Sequence, residues 1–532
     1  MESARIPVDI RRFPWIRKLA ADYAFSFPSL APFFSGDPAA ASAWTGAIAR
    51  AQQHPRERAA IVDILGAQQT HRDAPAEARE AAAQLVDPRT VAIVTGQQAG
   101  LFGGPAFCIY KALTAVKLAE QVRREHGVPA VPIFWVEAED HDWDEVSSSS
   151  VLDSEFHRRT IQLPKPEGAG HTPVGSINLG DSINAALQEL TDALPPTEFT
   201  AALLDQLRKA YQPGRGMADA FARLMEALLG NRGLAVFDAS DPKAKPLAGH
   251  VFLREIQHPG RTWQLAGDAG ARLVAGGYHA QVTGSADDGA ALFHLDGTRS
   301  AIPNDRIAAL EPEVRARPDS FSPNVLLRPI VEDTLFPTIC YVSGPNELAY
   351  LAQLKAVYEH FGVPMPLLYP RLSVTILDSA SAKFLARHNL PLEALHARDE
   401  ATLNRLLSES LPATVDRALQ EANDAVERSM AALIAAVPAI DATLEGAAKS
   451  TLGKLQHDLT VLRGKIISAA KKRDETLRRQ FLRAQMQAFP DGMPQERAIS
   501  AISLLNRYGP AMIDRLLTDL PLDLGQHWVM TV

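Results

Sequence analysis

Short apolar runs recur along the chain, separated by long stretches of mixed polarity. The clearest lie at residues 91–94, 130–136, 234–238 and 337–342. Apolar runs of this length, bounded by turn-forming residues, are typical of strands that are buried on both faces, as in a parallel sheet. The pattern therefore predicts an α/β protein whose sheet is assembled from distant parts of the chain.

The segment between the first two runs has the spacing of one long helix. Pro105 stands where a helix can begin, and Ile109, Leu113 and Val116 recur at helical spacing before Gly127. A strand, a crossover helix and a second strand place the two strands parallel. A strand, a glycine-containing turn and a helix are predicted again after residue 337. Both turns should therefore open at the carboxyl edge of one sheet, where ligands bind in such folds.

Two stretches interrupt this order and predict insertions between core strands. The first changes from an irregular Pro- and Gly-containing segment to amphipathic helices, and the second contains short extended runs at 272–275 and 291–295. The predicted division is 1–150 for N-terminal helices and the first half of the core, 151–230 for the first insertion, 231–250 for a core strand, 251–325 for the second insertion, 326–377 for the second half of the core, 378–500 for a helical arm, and 501–532 for a C-terminal segment.

The helical arm carries two heptad repeats. Apolar or small residues follow alternating steps of four and three at Val415, Leu419, Ala422, Val426, Ser429 and Leu433, and again at Leu452, Leu455, Leu459, Leu462, Ile466 and Ala469. Pro438 lies between the repeats and disfavours one continuous helix. We therefore expect two long antiparallel helices in a coiled-coil arm, and with it a homodimer.

The net charge and the cysteine content indicate what kind of partner the protein binds and in which cellular compartment it works. The net charge is −8 at pH 7, which gives no general attraction to nucleic acid. The two cysteines, Cys108 and Cys340, form neither a disulfide framework nor a zinc pattern, as expected in a reducing cytoplasm. No apolar signal core and no apolar stretch of membrane-spanning length occurs, so we expect a cytoplasmic protein with no membrane partner.

The first glycine turn, TGQQAGLFGGP, starts at Thr95, directly after a strand. A strand-to-helix turn of this kind can present backbone N–H groups and a helix N-terminus to an anion. It matches neither the dinucleotide fingerprint nor the Walker A spacing. Glycines at a helix start also serve packing alone, so both explanations stay open. The residues concerned are Gly96, Gln97, Gln98, Gly100, Gly103 and Gly104.

An acid-rich segment, EAEDHDWDEV, follows the second strand. Carboxylates held this close repel one another unless a cation, a positive ligand group or shared protons offset the cost. Two functions fit: a metal or Mg-nucleotide site, or a pocket that binds a substrate ammonium and removes its proton through His141. A solvated loop with an aspartate as helix cap is the structural alternative. Because His141 has no HExxH or cysteine partners, no dedicated zinc site is expected.

Further polar residues lie near the other predicted strand ends. Arg328 can clamp a carboxylate or phosphate, although its neighbour Glu332 makes a structural ion pair an equal alternative. Asn346 and Glu347 in the second turn can accept hydrogen bonds from sugar hydroxyls, and Arg371 can reach a phosphate.

Three runs in this chain resemble one known family. They are TGQQAGLFGGPAFCIYKALTAVKLA, PIFWVEAEDHDWDEV, and LRPIVEDTLFPTICYVSGPNELAYLAQLKAVYEHFGVPMPLLYPRLSV. In this order, and over essentially the whole length, they are similar to the BshC family, to which the cysteine-adding step of bacillithiol biosynthesis is ascribed. The resemblance implies a Rossmann-type core related to class I aminoacyl-tRNA synthetases and nucleotidyltransferases, two connecting insertions and a dimerising C-terminal coiled coil.

The resemblance also implies a reaction, in which cysteine is joined to glucosaminyl-malate through an amide bond. Activation of the cysteine carboxylate by ATP, with Mg²⁺ as a candidate ion, would drive it. On the residues above, catalysis would fall to Asp140, His141 and Asp142; substrate binding to Gly96, Gln97, Gln98, Gly100, Trp135, Glu139, Ser343, Gly344 and Asn346; and nucleotide binding to Gly103, Gly104, Arg328, Arg371 and Ser373.

The chain also departs from the wider superfamily. Neither the HIGH nor the KMSKS signature of class I synthetases occurs, so adenylation is an analogy at the level of the fold. Two alternatives stay open: another nucleotide-dependent carboxylate–amine ligase or nucleotidyltransferase, and a non-catalytic coiled-coil scaffold that binds a nucleotide.

Overall fold

The computed structural model describes residues 5–396, 400–409, 413–473 and 475–532. The chain divides into two compact units. The first comprises Met1–Thr375 and Pro494–Met530, and the second comprises Ile376–Met493 and Thr531–Val532. The second unit is thus inserted, along the sequence, between two segments of the first.

Thirteen strands occur among the described residues. They are β1 (Arg5–Asp9), β2 (Val91–Gln98), β3 (Ala130–Glu137), β4 (Ser148–Leu152), β5 (Arg158–Gln162), β6 (Ala235–Asp238), β7 (Leu292–Leu295), β8 (Arg299–Ala301), β9 (Phe321–Pro323), β10 (Thr338–Ser343), β11 (Leu367–Pro370), β12 (Val374–Leu377) and β13 (Gln526–Thr531).

The core of the first unit is a five-stranded sheet in the order β11-β10-β2-β3-β6, in which every neighbouring pair is parallel. In sequence order these strands run 5-4-1-2-3, which is the Rossmann arrangement. The order reverses between β2 and β10, so the crevice for a ligand should lie at the carboxyl ends of these two strands. The predicted Rossmann-type parallel sheet is confirmed.

Hydrophobic burial on both faces explains why the core strands are apolar runs. All six residues of β10 are buried, as are the first six of β2. Val94 and Ile133 belong to one buried cluster, whereas Val91 and Ile93 belong to another on the opposite face. Helices cover both faces, and the long helix Phe107–His126 joins β2 to β3 as predicted.

The helices of the first unit lie around this sheet and in the insertions. They span Lys18–Phe25, Ala41–Gln53, Arg58–Arg72, Ala76–Ala83, Phe107–His126, Trp143–Val146, Ser182–Ala193, Thr200–Ala210, Met217–Leu229, Gly249–Gln257, Arg261–Ala275, Glu311–Ala316, Arg328–Leu335, Glu347–Leu351, Lys355–Phe361, Gln495–Ala498, Ala501–Tyr508 and Ala511–Asp519.

The second insertion corrects one expectation. The extended run predicted at 272–275 is wrong, because these residues end the helix Arg261–Ala275. Leu273 is fully buried whereas Val274 is 58% exposed, as the helical spacing of Ala266, Ala269 and Leu273 requires. The run at 291–295 does form a strand, β7, which pairs antiparallel with β8 and β9.

Both sequence segments of the first unit meet in an antiparallel pair. Arg5 pairs with Met530 and Asp9 with Gln526, so β1 and β13 are in register over five residues.

The second unit is helical, as predicted. Its helices span Ser379–Arg387, Ala401–Glu409, Ala413–Ala436, Leu444–Arg473 and Glu475–Ala488. The third and fourth pack against each other across a short turn that contains Pro438, and Gln456 donates a hydrogen bond to Glu427 between them at 2.9 Å. The heptad pattern therefore gives the expected antiparallel pair.

Across the described ranges, no helix combines the length and the apolar character needed to cross a bilayer.

Candidate functional site at the carboxyl edge of the sheet

A small cleft of about 130 Å³ lies where the strand order reverses, at the carboxyl ends of β2, β3 and β10. Five of its lining residues have a binding role predicted from the sequence: Gly96, Gln97, Gln98, Trp135 and Arg328. Glu137 from the acid-rich segment and Glu347 from the second turn also line it, together with Tyr341 and Tyr350. The glycine turn, the end of β3 and the second turn therefore converge on one cavity, as parallel strands require.

Lys111 joins the two turns beneath the cleft. This side chain is 2% exposed, and its ammonium lies 2.6 Å from the carboxylate of Glu347. It also donates to the backbone oxygen of Gly96 at 2.7 Å and to the side-chain oxygen of Gln97 at 3.1 Å. One buried cation therefore fixes the end of β2 and the turn after β10 together.

Gly96 is required by close packing against β3. A Cβ atom at this position would lie 3.2 Å from the backbone oxygen of Trp135. The glycine therefore allows β2 and β3 to end side by side at the cleft.

Arg328 is the second cation of the cleft. Its guanidinium donates to Glu332 at 2.8 Å and to the hydroxyl of Tyr350 at 3.2 Å, and it lies 3.5 Å from Glu137. Burial opposes its charge, but Tyr341, Tyr350 and Glu332 nevertheless raise the pKa of Arg328 above its usual value. Burial also opposes the charge of Glu332, and it therefore raises the pKa of this carboxyl group.

Two carboxylates remain partly open to the cleft. The side chains of Glu137 and Glu347 are 20% and 24% exposed, whereas Glu332 is 1% exposed. Glu137 and Glu347 thus bring two partly exposed carboxylates to the cavity that the rings of Trp135 and Tyr341 also border. Such a site favours a small cation, because a carboxylate and an aromatic face both attract an ammonium group.

The acid-rich segment borders the cleft through Gln98. The Gln98 amide donates to Asp140 at 2.7 Å, and Asp140 also accepts the backbone N–H of His141 at 2.7 Å. The His141 Nδ1 atom lies 3.5 Å from Asp140, and its side chain is 38% exposed. Asp140 and His141 therefore lie beside the cleft without lining it, and their side chains are 32% and 38% exposed. We call this side of the cleft its mouth.

The other two acids of the segment have structural partners. Glu139 is 3% exposed and forms an ion pair with Lys245, so the ammonium that it holds is the protein's own. Asp142 accepts the backbone N–H of Glu145 and so caps the helix Trp143–Val146. This is the helix-capping aspartate that the sequence offered as an alternative to a catalytic role. Within the described ranges, no three His, Cys, Asp or Glu side chains group in an arrangement that could hold a metal ion.

Arg299 reaches the acid-rich segment from the second insertion. It donates to His141 Nδ1 at 3.2 Å and lies 3.6 Å from Asp140, and its side chain is only 8% exposed. Sequence reasoning did not single it out.

The remainder of the first glycine turn is closed on itself. The N–H groups of Gly100, Gly103 and Gly104 donate to the backbone oxygens of Gln98, Gly100 and Leu101, respectively. A Cβ atom at Gly100 would lie 2.8 Å from the Cα atom of Gly104, so this glycine serves close packing. The role in nucleotide binding that was predicted for Gly103 and Gly104 stays a prediction, and it would require these bonds to open.

The remaining predicted residues lie elsewhere. Asn346, Arg371 and Ser373 line a second cavity, of about 250 Å³, together with apolar residues such as Phe13 and Trp15. Ser343 is buried at the end of β10, where its hydroxyl has no hydrogen-bond partner among the described residues. Gly344 donates its N–H to Glu347.

Four residues of the site escaped sequence reasoning: Lys111, Tyr341, Tyr350 and Arg299. Tyr341 belongs to an apolar run, and Lys111 lies on a helix whose pattern suggested only a crossover. A lysine in the first turns of the helix that follows a glycine turn was the one available signal.

The chain matches two family models that together span nearly all of it. Residues 1–372 match "Bacillithiol biosynthesis BshC, N-terminal Rossmann-like domain", and residues 374–532 match "Bacillithiol biosynthesis BshC, C-terminal coiled-coil domain".

Curated relatives agree over the same length. A protein of Salinibacter ruber is 34% identical over 99% of this chain and 98% of its own length. One of Chlorobaculum tepidum is 35% identical over 86% of each chain, and one of Solibacter usitatus is 31% identical over 98% of each. All three carry the name "Putative cysteine ligase BshC". From the Rossmann-like core to the coiled coil, this chain belongs to the BshC family of bacillithiol biosynthesis.

Proposed function

We propose that this chain is a ligase that joins cysteine to glucosaminyl-malate through an amide bond in the biosynthesis of bacillithiol. Membership of the BshC family and the names of the relatives support a cysteine ligase. The observation that carries the proposal is the cleft at the switch point, with the two partly exposed carboxylates of Glu137 and Glu347 beside aromatic rings.

The cleft suits the cysteine. Its volume of about 130 Å³ is below the roughly 300–1,000 Å³ typical of sites for drug-sized ligands, and so favours a single amino acid. Glu137 and Glu347 would bind the α-ammonium group, and Gln97 and Gln98 would orient the carboxylate as neutral donors. Glucosaminyl-malate would then approach from the mouth, past Asp140 and His141.

The amine of glucosaminyl-malate must lose a proton as the amide forms. The Asp140–His141 pair at the mouth is the group we assign to this transfer. Asp142 would support it by fixing the next helix, and Gly344 by holding Glu347 in place.

Amide formation from a free carboxylate is uphill in water, so we propose ATP, with Mg²⁺, as the source of carboxylate activation. When bound, ATP would convert the carboxylate into a better acyl donor. The residues of the cleft do not fit a nucleotide in this arrangement, because both cations are paired with carboxylates and the cavity is small. Nucleotide binding near Gly103, Gly104 or Arg328 would therefore need a second conformation.

A reconstitution assay tests the function. Purified full-length protein is incubated with cysteine, glucosaminyl-malate and Mg-ATP, and bacillithiol, AMP and ADP are quantified by mass spectrometry. We expect bacillithiol together with an equal amount of AMP or ADP. The exposed R306Q variant serves as a matched control that should retain full activity. Absence of both products from the folded wild-type protein would exclude a self-sufficient ligase.

We also propose that the coiled-coil arm forms a homodimer. Leu433, Leu455 and Leu462 occupy heptad positions yet are 48%, 38% and 46% exposed in the single chain. A second copy would cover them. Sedimentation at micromolar concentration should give twice the 57.7 kDa mass, and the triple variant L433E/L455E/L462E should give the monomer. A monomeric wild-type protein would refute the proposal.

We place the reaction in the cytoplasm. Cys108 and Cys340 are both buried and unpaired, which agrees with a reducing compartment.

A further inference from the structure

Arg299 reaches the acid-rich segment from the second insertion and is held there by several further contacts. Besides His141 and Asp140, it bonds the hydroxyl of Ser322 at 3.2 Å and the backbone oxygen of Pro323 at 3.0 Å. Its guanidinium lies 3.9 Å from the centre of the Phe293 ring. All three nitrogens of the guanidinium therefore have hydrogen-bond partners, which fix its orientation.

The backbone of Arg299 adds a link to the first insertion. Its N–H donates to the oxygen of His171 at 2.8 Å. One residue of β8 thus connects the first insertion, the second insertion and the segment that follows β3. A change at this position should displace the mouth of the cleft and leave its floor, built on Lys111 and Arg328, in place.

The contact with His141 has a chemical consequence. An arginine side chain can only donate hydrogen bonds, so the Nδ1 atom of His141 must accept. In a neutral imidazole that accepts at Nδ1, the hydrogen resides on Nε2. The lone pair that a general base needs is therefore already engaged by Arg299.

Resting on the function proposed above, we propose that Arg299 is a positioning residue that holds His141 as the Nε2–H tautomer. His141 then enters the reaction as a hydrogen-bond donor, and Asp140 is the member of the pair that accepts the proton. The donor Nε2–H can orient an oxygen of the incoming substrate. The amine proton passes to the Asp140 carboxylate as the new carbon–nitrogen bond replaces the bond between the activated acyl carbon and its leaving group, the AMP or phosphate that derives from ATP.

The tautomer can be read without any assay of activity. The full-length protein is labelled with ring-¹⁵N histidine, and His141 is assigned among the 15 histidines by its loss in H141N. We expect a protonated Nε2 and a bare Nδ1 in the wild type, and a mixed population in R299Q. A wild-type His141 that carries its hydrogen on Nδ1 would overturn the inference, as would an R299Q spectrum identical to that of the wild type.

Kinetics then test the consequence. In R299Q we expect kcat to fall on the order of 100-fold, as for a misplacement of about 1 Å, while the affinity for cysteine changes little. R299K keeps the positive charge but lacks the forked guanidinium group, so its kcat should lie between those of R299Q and the wild type. R306Q, which removes an exposed arginine of the same insertion, should match the wild type.

The two failures are distinguishable. If the wild type makes no bacillithiol, the ligase proposal fails, and the spectrum alone decides the role of Arg299. If the wild type is active and folded R299Q is equally active, the positioning role is excluded and the ligase proposal stands.

Discussion

Arg328 and Arg371 are arginines of the first unit whose side chains are 11% and 3% exposed, but their charges are balanced in different ways. Arg371 forms two parallel bonds with Glu496, at 2.8 and 2.7 Å, and Glu496 also accepts from Ser373. Arg328 bonds Glu332 through one nitrogen and Tyr350 through another, with Glu137 farther away.

This difference separates a structural pair from a candidate binding site. The pair Arg371–Glu496 is saturated, so a ligand would have to break a buried, charge-assisted bond to use either partner. In the cleft that Arg328 lines, the carboxylates of Glu137 and Glu347 are only partly buried, and both open into the cavity. A buried arginine therefore marks a site only where its surroundings leave charge to be neutralised.

The largest expected effect concerns the saturated pair. The variant R371M leaves Glu496 as a buried carboxylate without its cation, which should cost about 3–5 kcal/mol of unfolding free energy. Urea denaturation of the full chain measures it. R306Q removes an exposed arginine and should change stability by less than about 0.5 kcal/mol. If the two variants were equally stable, the Arg371–Glu496 pair would not be a structural ion pair in the sense described above.

The next effect is a pH dependence at the same pair. Burial lowers the pKa of His527 to about 4. In the unfolded chain a histidine takes up its proton near pH 6.5, whereas the folded protein resists until about pH 4. The contribution of His527 to stability should therefore be lost as the pH falls from about 6.5 to 4, by on the order of 3 kcal/mol.

Denaturation curves of wild type and H527Q across this range check the sign. The glutamine variant should show a flatter dependence of stability on pH between 4 and 6.5. A wild-type protein that gains stability relative to H527Q on acidification would contradict the assignment.

The smallest expected change in free energy concerns cysteine binding in the cleft. E137Q keeps the size of the side chain and an oxygen that can accept from Trp135, but removes one negative charge from the cleft. We expect cysteine binding to weaken about tenfold, or roughly 1.4 kcal/mol, with little change in melting temperature. Isothermal titration calorimetry with cysteine measures it. Unchanged affinity would mean that the Glu137 carboxylate does not bind the ammonium group of cysteine.

Much of the fold could be predicted because local pattern and global structure agree there. The apolar runs of β2, β3 and β10 are buried on both faces, and the turns after them converge because parallel strands end at one edge. The run at 272–275 failed because four residues do not distinguish a strand from the end of a helix.

The candidate site could be predicted only in part, because its key contacts join distant positions. Glu496 lies 125 residues beyond Arg371, and Arg299 lies 158 residues beyond His141. No spacing rule links such pairs. Gln97 and Trp135 were found because they lie close to the carboxyl ends of strands, whereas Lys111 projects from a helix whose apolar pattern masked it.

The order of segments in the first unit constrains how the protein is made. During synthesis Arg371 emerges from the ribosome before its counter-charge, because the whole helical second unit, Ile376–Met493, is translated before Glu496. β1 likewise cannot form its antiparallel pair until β13 has been translated. The nascent chain therefore carries an unpaired strand edge and an unbalanced guanidinium until Glu496 and β13 have been translated, and in this interval chaperones would have the most to protect.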